Sequence, residues 1–424
     1  MKINVQKQKA ISLISLVITI IILLILAGIS IAVLTNSKLF DKSKQAKQEF
    51  ENSQNVENGI LDEYIKKIDE VVGNKGNSED DNNFDYNKNL ATIDFWGEKI
   101  YTPFQGEGTQ SNPYKITNVS GLAFISMLVN SGESFQGKYI ELSNDLNLNE
   151  NKYNVNVDNN DVTFFTDAKQ WIPIGSATNS FKGIFDGKNH IIKGLYINSD
   201  ELSEQALFGV NEGIIKNVNL QEGYVKGTQD IATICAQNKK NGIVEKCYSA
   251  ITVISSKVRA GGICSTNEGV IQECCNKSSI KAIQTYSGGI CAYNLNEIKY
   301  CYNLGKVVAG QNSSGNSYAG GIVGYNLLPG VIQYTYNMGI IDKINGTNYL
   351  GGIVGQSNQG NLYDSYSCTL TKIIGRNYSA AGNTANVSIK SENEMCQESF
   401  IDLLGEKEYW KFDSNIQKVV LSWQ

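Results

Sequence analysis

Residues 288–305 read GGICAYNLNEIKYCYNLG, and variants of this stretch are written on both sides of it. Upstream stand ALFGVNEGIIKNVNL (206–220), ATICAQNKKNGIVEKCYSA (232–250) and GGICSTNEGVIQECCNK (261–277). Downstream stand GGIVGYNLLPGVIQYTYNMG (320–339) and GGIVGQSNQGNLYDSYSC (351–368). The anchors Asn211, Asn238, Asn267, Asn294, Asn326 and Ser357 are spaced by 27, 29, 27, 32 and 31 residues. A period of this size with drifting loops marks a solenoid, in which each unit buries its apolar face only by stacking on its neighbours. Within a unit, apolar residues alternate in runs of four to six broken by Gly or Asn, which predicts strands. Gly-Gly pairs suit corners that need positive φ or close backbone approach.

The cysteines keep the same register. Cys235, Cys264 and Cys291 share one column, continued by Val323 and Val354. Cys247, Cys274 and Cys301 share another, which runs from Val218 into Thr335 and Ser365. Exchange of Cys with Val, Thr or Ser at fixed phase predicts small side chains stacked inward in ladders. Disulfides between stacked turns and metal ligation are the other two readings. There are nine cysteines, an odd count, and no CxxC motif. Tyr248, Tyr302, Tyr336 and Tyr366 form a further column, with Cys275 substituting once; it reads as a structural ladder or as an exposed strip for sugar rings.

Composition narrows the function. The 424 residues include 48 Asn, 40 Gly and 22 Tyr but only 4 Pro, a mixture suited to short strands and tight turns. A net charge of −5 supplies no basic field for nucleic acid. The single histidine, His190, excludes His-cluster zinc sites and paired-His protease motifs. Asp81, Asn83 and Asp85 alternate as a calcium loop begins, but the required Gly and distal Glu are missing, so a solvated linker is the reading.

The N-terminal end is of another kind. Residues 11–34, ISLISLVITIIILLILAGISIAVL, carry no charge over 24 positions, enough to span a bilayer core of about 30 Å. Lys2, Lys7 and Lys9 precede them, which predicts the N-terminus inside and the rest outside. The expected organisation is a basic leader (1–10), a transmembrane helix (11–34), an amphipathic stalk helix (35–72) and an acidic linker (73–89). An N-terminal cap with the first rungs (90–204), the repeats (205–378) and a C-terminal cap (379–424) follow.

Two resemblances attach to these motifs. KQKA followed by ISLISLVITI resembles a type IV pilin or pseudopilin N-terminus, over roughly the first 70 residues. It implies prepilin-peptidase cleavage between Ala10 and Ile11; an uncleaved signal anchor is the alternative. The chain departs from that family at Ala10, where Gly is usual, and at Ser15, where major pilins carry a Glu that guides packing into a fibre. The repeats from Gln205 to about Cys368, with G-G-I-V-G-x-N followed by I-x-x-C/S-Y-N, resemble the GLUG repeats of bacterial surface proteins. That resemblance implies a right-handed parallel β-helix of the pectin-lyase type. Residues 106–132 resemble the opening of such a solenoid, with a short helix near 121–129, and residues after 390 resemble a closing helix and strand.

Enzymes that cleave polysaccharides use this fold, and they need two carboxylates, or a base with cations for a uronate. Asp186, His190 and Asp145 read as turn and strand-start residues, and Arg259 as a loop residue able to contact an acidic sugar. The resulting expectation is mainly β, non-catalytic and free of cofactor and metal. The chain would be anchored in a Gram-positive-like membrane and would contact glycan, matrix or protein through strand faces and the loops 310–317 and 343–349. A minor pilin, partnered by other pilin-like subunits, is the second reading, and a polysaccharide-cleaving enzyme the third.

Overall fold

The computed structural model describes residues 94–95, 98–99, 104–155, 162–310, 315–344, 348–370, 372–378 and 382–424. The leader, transmembrane helix, stalk and linker expected over 1–89 lie outside the described residues, as do Ala10 and Ile11 and the centres of the two long loops. Among the described residues no helix is long and apolar enough to cross a membrane.

The repeats wind into a parallel β-solenoid of about nine turns. One turn serves for all. Cys264–Asn267 lies in a seven-stranded asparagine sheet, and Val270–Gln272 in an isoleucine face. Cys275–Asn276 and Ser279–Ala282 form two further faces, and Tyr286–Gly288 belongs to a four-stranded glycine sheet. Each strand pairs in parallel with its equivalents one turn away, so a sequence column becomes a physical stack. Phe185, Ile215, Val244, Ile271, Ile298, Ile332 and Leu362 stand in register and are buried. Each such side chain contributes about 1.5–3 kcal/mol by leaving water.

Buried asparagines hold the corners. The Asn211 amide donates to Asn238 Oδ1, Asn238 to Asn267, Asn267 to Asn294 and Asn294 to Asn326, each at 2.9 Å. A second ladder runs Asn276 to Asn303 at 2.7 Å and Asn303 to Asn337 at 2.8 Å. Amides suit this task because each carries both donor and acceptor and so passes the bond along the stack.

The paired glycines serve close approach alone. A Cβ on Gly262 would lie 1.8 Å from the Gly289 oxygen, and one on Gly289 2.0 Å from that of Gly321. Positive φ falls instead on a column of non-glycine residues, among them Asn217 (54°), Lys246 (52°), Glu273 (52°), Tyr300 (51°) and Tyr334 (54°).

The first rungs begin with Tyr114–Ile116, followed by a helix, Val119–Asn130, that is buried along its whole length. Asn118 caps it, accepting from the Gly121 N–H at 2.9 Å. A hairpin of Tyr153–Val155 and Val162–Phe164 projects from the next rungs. The closing segment is a pair of short helices, Glu392–Met395 and Phe400–Leu404, and an antiparallel hairpin, Trp410–Asp413 with Lys418–Leu421. This flap runs back along the side of the solenoid. Trp423 Nε1 donates to the Glu273 carbonyl at 3.0 Å, while Tyr302 donates to Gln424 at 2.6 Å and Tyr366 to the Leu403 carbonyl at 3.1 Å.

Candidate functional site

The two cysteine columns are in register and fully buried, and all nine cysteines are free thiols. Cys247, Cys264, Cys274, Cys291 and Cys301 each donate to the carbonyl two residues away in sequence, at 3.2–3.3 Å. Burial pushes the thiols of Cys235, Cys247, Cys274 and Cys291 well above the ordinary cysteine range.

The column Tyr248, Cys275, Tyr302, Tyr336, Tyr366 is in register too, and the flap covers its last four members. Tyr302 and Tyr336 stack at 4.8 Å, with Trp410 and Phe400 against them. Tyr248, beyond the flap, is half-buried; burial, with Cys275 beside it, raises its phenol to about 12.

The acidic candidates each have local partners of their own. Asp186 accepts from the Lys188 N–H at 2.9 Å and from Asn217 at 2.8 Å. Asp145 accepts from the Ile191 N–H at 2.9 Å and meets His190 Nδ1 at 3.1 Å. The Ile191 amide, with His190, holds the Asp145 carboxyl below its usual range. Arg259 differs from its sequence reading. It opens a strand, Arg259–Gly261, and its guanidinium is spent on Asp230, Nε to Oδ1 at 2.8 Å and Nη2 to Oδ2 at 2.9 Å.

Arg259 begins a ridge that sequence reasoning missed. On the glycine sheet, Arg259, Tyr286, Tyr318 and Tyr349 stand in one column. On the adjoining asparagine sheet, Thr266, Tyr293, Tyr325, Gln356 and Arg376 stand in the next. Tyr286 stacks on Tyr318 at 5.3 Å and on Tyr325 at 5.1 Å, and Tyr318 on Tyr349 at 5.4 Å. The chain has only two arginines, and one closes each end: Arg259 over Tyr293 at 5.3 Å, Arg376 over Tyr349 at 4.9 Å. Polar groups hold the phenols, with Tyr286 donating to Gln356 at 3.2 Å and Arg376 to the Tyr318 hydroxyl at 3.1 Å. Of the five tyrosines, all but Tyr318 remain partly open to solvent. The signal for it was present as Tyr-x-Gly-Gly at 286, 318 and 349. Such a ridge offers rigid amphipathic rings and hydroxyl edges at low entropic cost, the chemistry of surface recognition.

A groove of about 720 Å³ opens on another side, between the 153–164 hairpin and the strands around Tyr248 and Ser279. Its lining includes Val155 and Val162 from the hairpin strands, the polar Gln221, Thr252 and Ser279, and the apolar Ile251 and Leu304. Glu222 at its edge is committed, accepting from Lys193 at 2.7 Å and from the Tyr153 hydroxyl at 2.9 Å.

Comparison with known proteins agrees at the level of fold. A crystal structure from Bacteroides ovatus, named "putative immunoglobulin A1 protease", superposes with a TM-score of 0.56 at 22% identity, over 75% of this chain and 95% of that one. Halomucin of Haloquadratum walsbyi is 27% identical over 180 residues, 41% of this chain and 2% of that protein. A "Putative Gly-rich membrane protein" of Evansella cellulosilytica is 30% identical over 124 residues, 28% of this chain and 12% of that protein. The matches thus span small fractions of these two relatives. No protein-family model matches the chain, so the GLUG and pilin resemblances rest on the quoted motifs. What the comparisons support is a mainly β chain built on a parallel solenoid, with partial similarity to Halomucin and to a protein named as a Gly-rich membrane protein.

Proposed function

We propose that this chain is a non-catalytic surface-binding protein: a membrane helix and stalk holding a right-handed, GLUG-type β-helix outside the cell. The tyrosine ridge carries the reading. Five tyrosines spread over adjoining turns give many weak, repeated contacts, which suits an extended glycan, matrix or protein partner more than a small substrate. Asp145, Asp186 and Glu222 are each engaged by local hydrogen-bond partners, which supports the same reading. The relatives named for membrane and mucin support a surface location.

The test is retention of the full chain, held in liposomes, on a panel of glycans, matrix proteins and cell-surface proteins. Retention that drops at least about tenfold in the double variant Tyr293→Ala/Tyr325→Ala and returns with Phe at both positions is the expected result. Retention indifferent to both variants, or breakdown of a panel polysaccharide, overturns the reading. The second reading, a minor pilin displaying the solenoid, is favoured by the Ala10–Ile11 junction before an uncharged run. Mass spectrometry of the native N-terminus separates the two, because a start at Ile11 marks prepilin processing and a start at Met1 a signal anchor.

A further inference from the structure

The groove beside the hairpin joins three features. One wall is apolar, made by Val155 and Val162. Beside Ala250, Ile251 and Leu304, the lining presents the hydroxyls of Thr252 and Ser279 and the side chain of Gln221, whose Nε2 donates to Asn219 at 2.9 Å and whose oxygen can accept. Among the charged side chains lining it, Glu222 is neutralised by Lys193, and Lys306 pairs with Asp342 at 3.2 Å. Lys277 is the surplus cation: exposed, 5.6 Å over the Tyr248 ring, with no ion pair among the described residues. In a chain of net charge −5, this local excess marks the groove as a place for an anion.

We propose that the groove binds a ring of an acidic saccharide, its carboxylate paired with Lys277 and its hydroxyls held by Gln221, Thr252 and Ser279. Size agrees, because small-ligand sites run about 300–1,000 Å³. Chemistry agrees as well. A pyranose presents C–H groups on one side, for the valine wall, and hydroxyls at its rim, for the polar lining. An acidic peptide fits less well, since extended peptides gain affinity at a free strand edge and the strands that carry Thr252 and Ser279 are paired on both sides. The ridge lies on other sheets, so this site stands or falls apart from it.

The probe is a glucuronate-containing tetrasaccharide, with its carboxyl-reduced form as the neutral control, titrated by calorimetry into the full chain in detergent. Binding is expected for the acidic form, at least about tenfold weaker for the reduced form and for Lys277→Ala, and largely restored in Lys277→Arg. It should be unchanged in Tyr293→Ala/Tyr325→Ala. Equal binding of the reduced form, or indifference to Lys277→Ala, overturns the proposal. So does equally tight binding of an oligoglutamate peptide, which would reduce the groove to a general anion patch.

Discussion

A thiol reacts as its thiolate, so burial protects a cysteine twice, by hiding the sulfur and by raising its pKa. Cys235, Cys247, Cys274 and Cys291 meet both conditions, and Cys264, Cys275 and Cys301 are equally inaccessible. Only Cys368 and Cys396 are partly exposed. Iodoacetamide at neutral pH should therefore modify no more than those two in the folded protein and all nine in denaturant, read by peptide mass spectrometry. Modification of Cys264 in the native state would contradict the stacked interior. The sequence carried these columns plainly, because Cys exchanges with Val, Thr or Ser at one phase. Arg259 shows the opposite case: its neighbour Asp230 is 29 residues away, one turn of the solenoid, and no local pattern announced their pairing.

At the scale of the element, the asparagine ladder is the unit of cooperation. Asn267 accepts from Asn238 and donates to Asn294, with no exposure to water. Asn267→Ala removes both ladder bonds and the bond Asn267 donates to the Glu297 carbonyl at 3.2 Å, and takes a partner from the buried amides on either side, a cost of about 2–4 kcal/mol. Asn267→Asp should cost more at neutral pH, since a buried carboxylate would face the Asn294 oxygen with no proton to give. Denaturant melts of the two variants test the ranking, and an Asp variant as stable as the parent refutes the ladder's directionality. The anchor was legible as Asn at a 27-to-32-residue period; its hydrogen-bonding role needed the stacking distance that only the parallel register provides. The Gly-Gly corners divided similarly. Their repetition was readable, but that left-handed backbone falls on Lys246, Glu273 and Tyr300 instead emerges only from the turn geometry.

At the scale of the whole molecule, the flap joins distant parts of the chain. Burial holds the phenols of Tyr302 and Tyr336 well above the usual value of 10. Their contribution to stability is full below about pH 10, where folded and unfolded forms both keep the proton. It declines as pH rises further, because the unfolded chain ionises first. Alkaline titration should thus show a late group of tyrosinates that appears only with a change in tryptophan fluorescence as Trp410 and Trp423 leave the column. A single smooth titration of all 22 tyrosines would mean the flap does not shield them.

The sequence by itself determined the repeat period, the stacking of like on like, the inward identity of the Cys columns, and the apolar N-terminal run. All of these are local or recur at one fixed interval, and a solenoid translates that interval directly into contact. The tertiary structure decided which aromatic column meets solvent. Tyr302, Tyr336 and Tyr366 read from sequence as a structural ladder or an exposed strip, and the flap, reaching back across as many as 150 residues from Trp423 to Glu273, covers them. The groove has the same origin, since Val155 and Lys277 share no periodic relation and meet only because a hairpin from an early rung stands beside later turns. Contacts of that kind depend on where non-repeating segments dock, and docking is set by complementary burial across the folded surface, which no single column of the repeat encodes.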